Sequence, residues 1–358
     1  MENVLIYPFD KEFLPFLERK SLLKDFNVTS VISPIGWGYC EKIVGNNIIV
    51  LDEENFSSNI EKVDYLWIVE SENDVDFERD IIPKVKIALE MGKKVLYLKE
   101  LTKSEKVILE NLKKSNNIMK LQKSLLESNL LDLKLFDINV PIILILGTSA
   151  NTDKFSIQLG IHDQLTTLGY NVSVLGSKKE GEILGFYSIN NILDSSKNEI
   201  EKIITINHTL KEIEKEESPD AIILGIPGGI LPLSKKFLNG WNILGGPICQ
   251  SISPDCIILC TSYDKYLTDK IKVLNSSIQG ILGKEINFYH ISACMIDIEE
   301  SVESNNLEYL SLDSSFVLSK LNSIKQNNLY CLDSKEELKR IVEDIIDLLS
   351  NYSKVKYI

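Results

Sequence analysis

The stretch that decides the fold is PIILILGTSANTDKFSIQLGIHDQLTTLGYNVSVLG, residues Pro141–Gly176. Its apolar run Ile142–Leu146 predicts a strand buried on both faces, and apolar residues at near-helical spacing from Phe155 to Leu168 predict a helix. A second buried strand is predicted at Asn171–Leu175. Strand, turn, helix and strand form a βαβ unit, and ligands of open α/β sheets bind beyond the carboxyl ends of the strands. We therefore expect the functional site in the turn 147–156, where the amides at the start of the helix can hold an anion.

This turn has the frame of a phosphate-binding loop. Gly147 permits a tight bend, small polar residues bring backbone amides close to a ligand, and Lys154 places a positive charge at the start of the helix. The residues of the turn that we predict to bind a ligand are Gly147, Thr148, Ser149, Asn151, Lys154, Phe155 and Ser156.

Two residues depart from the usual phosphate loop. Asp153 stands where that loop has its second glycine. Two unit charges ~4 Å apart interact by roughly 4 kcal/mol at an effective dielectric constant near 20, so this carboxylate could cancel what Lys154 supplies. The hydroxyl that would bind Mg²⁺ also comes one residue late, at Ser156. The sequence therefore leaves a second interpretation open, in which Thr152 or Asp153 caps the helix and the side chain of Lys154 lies in solvent.

A second glycine-rich turn follows the apolar segment Ala221–Gly225. If this strand is parallel to the first, Gly225, Gly228 and Gly229 lie at the same edge of the sheet, and we predict that they bind the same ligand; a purely structural turn is the alternative. The segment carries no Asp or Glu to hold Mg²⁺, which disfavours hydrolysis of ATP or GTP. The similar segment Cys256–Cys260 predicts a neighbouring strand of the same sheet.

Strands also alternate with helices in the N-terminal part, which favours a mostly parallel sheet there as well. No G-x-G-x-x-G follows the first predicted strand, Asn3–Pro8, so we assign this part no chemistry. The predicted fold class is α/β, with a Rossmann-like α/β domain over residues 1–138 and a P-loop NTPase-like α/β domain with a mostly parallel sheet over residues 139–358. Before this boundary, a polar segment predicts helices at Glu105–Lys114 and Leu121–Ser128.

Composition and charge exclude several classes of partner. The 358 residues include 39 basic and 52 acidic residues, a net charge of −13, which disfavours nucleic acid and anionic membranes. No apolar run approaches the ~20 residues of a membrane span, and the acidic N-terminus is unlike a secretory signal, so we expect a cytoplasmic protein. The six cysteines form no C-x-x-C pair and are predicted to be reduced core thiols. Because the three histidines are far apart in sequence, no metal site is predicted, and core or surface roles are favoured for His208 and His290.

Several of these motifs resemble those of a known family. GTSANTDKFSIQL (147–159), LGSKKEGEILGF (175–186) and IILGIPGGILPL (222–233), with the opening NVLIYPFD and SPIGWGYC, resemble the peptide maturation system proteins of low-GC Gram-positive bacteria. Those proteins are encoded beside small precursor peptides and radical SAM maturases in gene clusters for ribosomal natural products. The resemblance covers most of the chain. It implies a role in peptide modification, with the precursor peptide or the maturase as partner.

The C-terminal half alone is similar to the P-loop-like domain of D-glutamate N-acetyltransferase-type proteins, in which a Rossmann-like domain precedes a G-T-x5-K-x-[S/T] loop. Gly147, Thr148, Lys154 and Ser156 match this loop, and Asp153 stands where the wider group has glycine. The similarity implies binding of a nucleotide or coenzyme A.

Together, the resemblances imply an accessory protein in the maturation of a ribosomally synthesised peptide, with a degenerate P-loop that binds a phosphate-bearing ligand. Its candidate cofactors are ATP, GTP and acetyl-CoA, with Mg²⁺ only if a nucleotide binds. Two alternatives stay open: an acyl-CoA- or ATP-dependent transferase acting on a peptide or amino acid, and a non-catalytic scaffold that binds peptide or maturase. The sequence assigns no catalytic residue and leaves open whether the protein is an enzyme.

Overall fold

The structure is a computed structural model, and it describes residues 1–19, 22–45, 47–71, 73, 75–99, 101–112, 118–119, 134–149, 151–189, 192, 198–230, 245–324, 326–332 and 334–352. The chain forms two compact units: an N-terminal unit of Met1–Ser124 with Lys179–Phe186, and a C-terminal unit of Leu125–Lys178 with Tyr187–Ile358. The segment 179–186 therefore belongs to the N-terminal unit, although the chain on both sides of it belongs to the other. The predicted domain boundary at residue 138 stays a prediction, and the predicted helix Leu121–Ser128 lies outside the described residues.

The N-terminal unit contains one sheet and short helices. Its strands are β1 (Glu2–Tyr7), β2 (Phe26–Ile32), β3 (Ile43–Val44), β4 (Ile48–Leu51), β5 (Tyr65–Ile68), β6 (Lys94–Tyr97) and β7 (Ile118–Met119). Its α-helices are α1 (Leu14–Glu18), α2 (Phe56–Ile60), α3 (Ile82–Glu90) and α4 (Lys103–Leu112). Shorter helical turns cover Lys11–Phe13, Glu53–Asn55, Phe77–Ile81 and Lys179–Leu184.

The order of these strands is that of a Rossmann-like sheet. They lie in the order β3-β4-β2-β1-β5-β6-β7, and only β3 is antiparallel to its neighbour. Counted without β3, the order is 3-2-1-4-5-6, which is typical of dinucleotide-binding folds. The chain order reverses between β1 and β5, whose inner residues are fully buried because helices and loops cover both faces of a parallel sheet.

The C-terminal unit contains a wholly parallel sheet, also of seven strands, and a small antiparallel pair. Its strands are β8 (Ile142–Gly147), β9 (Val172–Gly176), β10 (Tyr187–Ser188), β11 (Ala221–Gly225), β12 (Cys256–Ser262), β13 (Phe288–Ser292), β14 (Cys294–Asp297), β15 (Glu308–Ser311) and β16 (Leu329–Tyr330). Its helices are α5 (Lys154–Thr167), α6 (Glu199–Glu217), α7 (Gly245–Ser251), α8 (Leu267–Leu282), α9 (Ile298–Ser304), α10 (Ser314–Leu321) and α11 (Lys335–Tyr352).

The central strand of the large sheet is β8. The order is β10-β9-β11-β8-β12-β13-β16, with β14 and β15 forming the antiparallel pair. The prediction that β11 and β12 are neighbours is wrong, because β8 lies between them and pairs with both. From β8 the chain continues on one side to β9 and β11, and then crosses to β12 on the other side. The edge beyond β8 is therefore a topological switch point.

Both faces of β8 are buried, as its apolar sequence predicts. Ile142, Leu144 and Leu146 join a core that includes residues of α6, α8 and α10, and Ile143 and Ile145 face the opposite side. On that side α5 packs on β8, β9 and β11, and α11 packs against α5. The fold is thus the predicted one: an α/β protein with a Rossmann-like domain followed by a P-loop-like domain whose sheet is mostly parallel. In the described part of the chain, no helix combines the length and the apolar character needed to cross a bilayer.

Candidate functional site

The two predicted glycine-rich turns meet at the carboxyl edge of the C-terminal sheet. Because β11, β8 and β12 are parallel neighbours, the turns that follow them leave the sheet on the same side. The turn after β8 is anchored by a hydrogen bond from the Thr148 N–H to the Cys260 carbonyl (2.9 Å) and by one between the Thr148 and Thr261 hydroxyls (3.1 Å). The turn after β11 is joined to it, since the Ile230 N–H donates to the Gly147 carbonyl at 2.8 Å.

Lys154 lies inside the first turn. The residue is only 5% exposed, and its ammonium donates to the Ser149 carbonyl (2.5 Å) and to the Thr152 hydroxyl (3.4 Å). The side chain folds back across Gly147, where an added Cβ would come within 2.6 Å of Lys154 Cδ and Thr152 Oγ1. A glycine is required there because the lysine occupies the space that a side chain would fill. The interpretation that placed Lys154 in solvent does not match this arrangement.

Asp153 begins α5 without capping it. Its backbone is left-handed (φ 57°, ψ 14°), a conformation that glycine adopts freely and that aspartate tolerates better than most residues. Within the described structure, its side chain accepts no capping hydrogen bond from the first turn of α5. Its Oδ2 lies 3.4 Å from Nε2 of His290, a residue on β13 that is fully buried. This contact is possible because β13 and β8 are separated only by β12. His290 is thus a core residue, one of the two roles that the sequence favoured, and it also lies beside the turn after β8.

Gln158 lies one turn of α5 beyond Lys154 and was missed by the sequence analysis. It is fully buried, and neither atom of its amide has a hydrogen-bond partner among the described residues. The amide lies over Gly225, where an added Cβ would be 2.1 Å from Nε2, and it is 3.5 Å from the corresponding position at Gly176. Buried amides without partners are rare in folded proteins, since each costs about 1–3 kcal/mol. The only sequence signal for Gln158 is its spacing of four residues from Lys154, which places both on the same face of α5.

The remaining predicted residues surround this centre. Phe155 is buried, its ring lies near Gly176, and the Lys178 ammonium lies 5.7 Å from the ring centre. Ser156 is half-buried. The carbonyl of Asn151 accepts a hydrogen bond from the Cys294 thiol at 3.4 Å.

The glycines of the second turn and one hydroxyl complete the predicted set. Gly228 has a positive φ of 69°, and Gly229 is buried. The hydroxyl of Ser149 is buried and has no hydrogen-bond partner in the described residues. The structure therefore brings the predicted residues of both turns to one edge of the sheet, together with Asp153, Gln158 and His290.

A second lysine approaches the same edge from α8. The Lys270 ammonium donates to the Ser262 carbonyl at the end of β12 (2.9 Å) and to its hydroxyl (3.3 Å). Burial lowers the pKa of Lys270, because desolvation disfavours its charged form. This lysine was missed by the sequence analysis because the contact to β12 depends on tertiary packing.

The donor set does not resemble a metal centre. Nowhere in the described ranges do three or more His, Cys, Asp or Glu side chains lie close enough to hold a metal ion. All six cysteines are free thiols; four are buried, as predicted, and Cys40 and Cys294 are half-buried. Burial raises the pKa of the Cys249 thiol to about 12, so this thiol stays protonated at neutral pH.

Comparisons with known proteins establish the fold. No protein-family model and no curated protein matches the sequence. A DUF1611 family protein from Anabaena variabilis has a similar structure with a TM-score of 0.61; it is 13% identical, and the match covers 98% of this chain and 100% of that chain. Cobyrinic acid a,c-diamide synthase from Mycobacterium smegmatis, with bound ADP and magnesium, matches with a TM-score of 0.33 and 10% identity over 61% of this chain and 97% of that chain. The first similarity shows a shared fold, and the second is too weak to show one.

Proposed function

We propose that the C-terminal unit binds a phosphate-bearing ligand in the turn 147–156. The observation that carries this proposal is the buried ammonium of Lys154, held at the base of the turn by the Ser149 carbonyl and the Thr152 hydroxyl. A positive charge held at this point attracts the negative charge of a phosphate, and a lysine at the start of a helix is the usual phosphate contact of such a loop. The dipole of α5 favours an anion at the same point.

The residues fit a phosphate group better than a magnesium nucleotide. Phe155 follows Lys154 at the position where a phosphate loop has the hydroxyl that binds Mg²⁺, and its side chain is buried. The end of β11 is apolar and supplies no carboxylate. If ATP, GTP or acetyl-CoA binds, Lys154 and the backbone amides of the turn would hold its phosphates directly, and hydrolysis of the nucleotide is not favoured.

We propose further that the protein is an accessory protein in the maturation of a ribosomally synthesised peptide. Its support is the sequence resemblance of the turns 147–159 and 222–233 to peptide maturation system proteins. In this proposal, the N-terminal unit engages the precursor peptide or the radical SAM maturase. The transferase alternative requires a change in the mass of the peptide on incubation with acetyl-CoA or ATP, and the scaffold alternative requires capture of the peptide without such a change.

Ligand binding is tested by thermal unfolding with ATP, GTP, acetyl-CoA or pyrophosphate, each with and without Mg²⁺. A ligand at a hundredfold excess over its Kd stabilises the folded state by about 2.7 kcal/mol, which is readily seen as a rise in Tm. We expect stabilisation that does not depend on Mg²⁺. If none of these ligands raises Tm at millimolar concentration, phosphate binding is wrong. The pathway is tested separately, by capture of the co-encoded precursor peptide or maturase on the immobilised protein.

A further inference from the structure

We propose that His290 is a positioning residue that holds the carboxylate of Asp153 away from the amides of α5, so that an external anion can bind there. The inference rests on the proposed phosphate binding and explains how the site tolerates an acidic residue at its centre. It concerns a contact between residues 137 positions apart in the chain, Nε2 of His290 and Oδ2 of Asp153, at 3.4 Å.

Asp153 differs from five other N-cap aspartates of the described structure. In five helical segments, the N-cap aspartate has an extended backbone, and its carboxylate accepts a hydrogen bond from an amide of its own first turn. These residues are Asp10, Asp52, Asp76, Asp297 and Asp313, with distances of 2.7–3.3 Å. Asp153 differs in both respects, since its backbone is left-handed and its carboxylate does not cap α5.

The position of His290 is fixed from the far side of the ring. Its Nδ1 accepts a hydrogen bond from the Leu332 N–H at 3.2 Å, so the neutral ring carries its proton on Nε2, which faces Asp153. In the sheet, His290 is level with Cys260, and Cys260 is level with Gly147. The side chain of Cys260, which lies between them, is small, and the imidazole reaches the carboxylate of Asp153 at the start of α5.

A carboxylate and a phosphate compete for the same amides. If His290 is removed, we expect the Asp153 side chain to rotate toward the N–H groups of Phe155 and Ser156, as the other N-cap aspartates do. The amides would then already have an acceptor, and the negative charge would repel a phosphate beside Lys154. With His290 present, the carboxylate stays at the side of the turn, where it is 46% exposed.

The experiment is a double-mutant cycle with inorganic pyrophosphate as the probe, measured by calorimetry. We expect H290L to weaken pyrophosphate binding about tenfold or more when Asp153 is present, because the released carboxylate competes for the amides. With D153G in place, H290L should change the affinity less than about twofold. The matched control is H208L, which removes a buried histidine of α6 whose Nε2 contacts the Lys134 carbonyl; it should leave the affinity unchanged. An equal loss from H290L in both backgrounds overturns the inference.

A second measurement needs no ligand and separates the inference from the proposed function. The amide resonances of Phe155 and Ser156 are followed by NMR through the titration of Asp153. In the wild type the chemical shifts of these amides should not follow the titration of Asp153. In H290L they should follow it, because the carboxylate then accepts hydrogen bonds from these N–H groups. Resonances that behave alike in both proteins overturn the inference. If they differ as expected but neither the wild type nor D153G binds pyrophosphate, His290 positions Asp153 as inferred, and the proposed phosphate binding is the part that fails.

Discussion

The two units bury charges of opposite sign at their sheets. In the N-terminal unit, Glu70 is the second residue after β5, and its N–H donates to the carboxylate of Glu180 at 2.8 Å. Glu180 and Glu182, which belong to the segment 179–186, are both buried. In the C-terminal unit, the buried charge after the central strand is Lys154. Both sheets are mostly parallel and both have a switch point, so topology alone would allow a ligand in either. Among the described residues, the buried positive charge of Lys154 favours an anion in the C-terminal unit, which is where we propose that the ligand binds.

The turns that follow the first strand of each sheet differ in whether an aspartate caps the next helix. After β1 the chain places Phe9 and Asp10 in the interior, and Asp10 caps the following helical turn through the Glu12 N–H at 2.8 Å. After β8 the chain has Gly147, and Asp153 does not cap α5. In the N-terminal unit the protein thus supplies its own anion to the helix start.

The largest effect is expected from K154A. Removal of the buried ammonium should weaken binding of pyrophosphate by about 100-fold to 1,000-fold, a loss of about 3–4 kcal/mol. The comparison variant is K84A in the N-terminal unit, where the lysine already pairs with Glu53 at 2.6 Å. K84A should leave the affinity unchanged. Calorimetric titration measures both, and an equally strong affinity in K154A would remove the distinction between the two units.

The next effect concerns the buried acid of the N-terminal unit. Burial raises the pKa of Glu182 to about 7 from its ordinary 4.5. The folded state therefore binds the proton more tightly than the unfolded state, and stability present at low pH is lost as the pH rises from about 4.5 to 7. This loss amounts to up to about 3 kcal/mol.

E182Q removes this titration. We expect the variant to gain stability over the wild type at pH 8 and to lose that gain at pH 4.5, as measured by urea unfolding at both values. The exposed residue Glu61 supplies the control E61Q, which should show no such dependence. A difference between E182Q and wild type that is the same at both pH values would show that the carboxyl of Glu182 is not destabilised by burial.

A smaller effect is expected from alanine at Gly225. The new Cβ would meet the buried amide of Gln158, and overpacking of this kind costs about 1–3 kcal/mol. The comparison is G36A in the N-terminal unit, where the space is open and only the positive φ of 92° is unfavourable. In urea unfolding, Q158A should restore part of the stability lost in G225A. If G225A unfolds like the wild type, the amide of Gln158 does not occupy the space over Gly225.

The smallest expected effect is the difference in unfolding free energy between variants of Asp10 and of Asp153. D10A removes a capping side chain and should lower the unfolding free energy by about 1 kcal/mol. D153N removes no cap and keeps a residue that tolerates the left-handed backbone, so its cost should be smaller than that of D10A. Both are measured by urea unfolding at neutral pH without phosphate in the buffer. A larger loss from D153N would mean that this carboxylate stabilises α5 as Asp10 stabilises its own helical turn.

Local sequence patterns predicted the elements that surround the site. The apolar run of β8 and the helical spacing of α5 are signals among residues close together in the chain, and the structure contains both elements. Such signals are readable because they depend on the periods of helix and strand and on the chemistry of helix ends.

The contacts that complete the site were not predictable in this way. That β8 lies between β11 and β12, and that His290 reaches Asp153, follow from strand order, which no local pattern encodes. The burial of Lys154 could not be decided either, because the same sequence fits a lysine in solvent. The left-handed backbone of Asp153 had a weak signal, since aspartate replaces a glycine that commonly adopts this conformation.

Because residues 179–186 belong to the N-terminal unit, the two units cannot be completed one after the other during synthesis. The N-terminal unit comprises Met1–Ser124 and this later segment, so its last piece is synthesised only after β8, α5 and β9 of the other unit. At a translation rate of about 5–20 residues per second, the ribosome takes seconds to extend the chain from residue 124 to residue 186. During that interval the nascent N-terminal unit lacks Glu180, which accepts the hydrogen bond of the Glu70 amide. A gene split at residue 124 would therefore separate the N-terminal unit from one of its own parts.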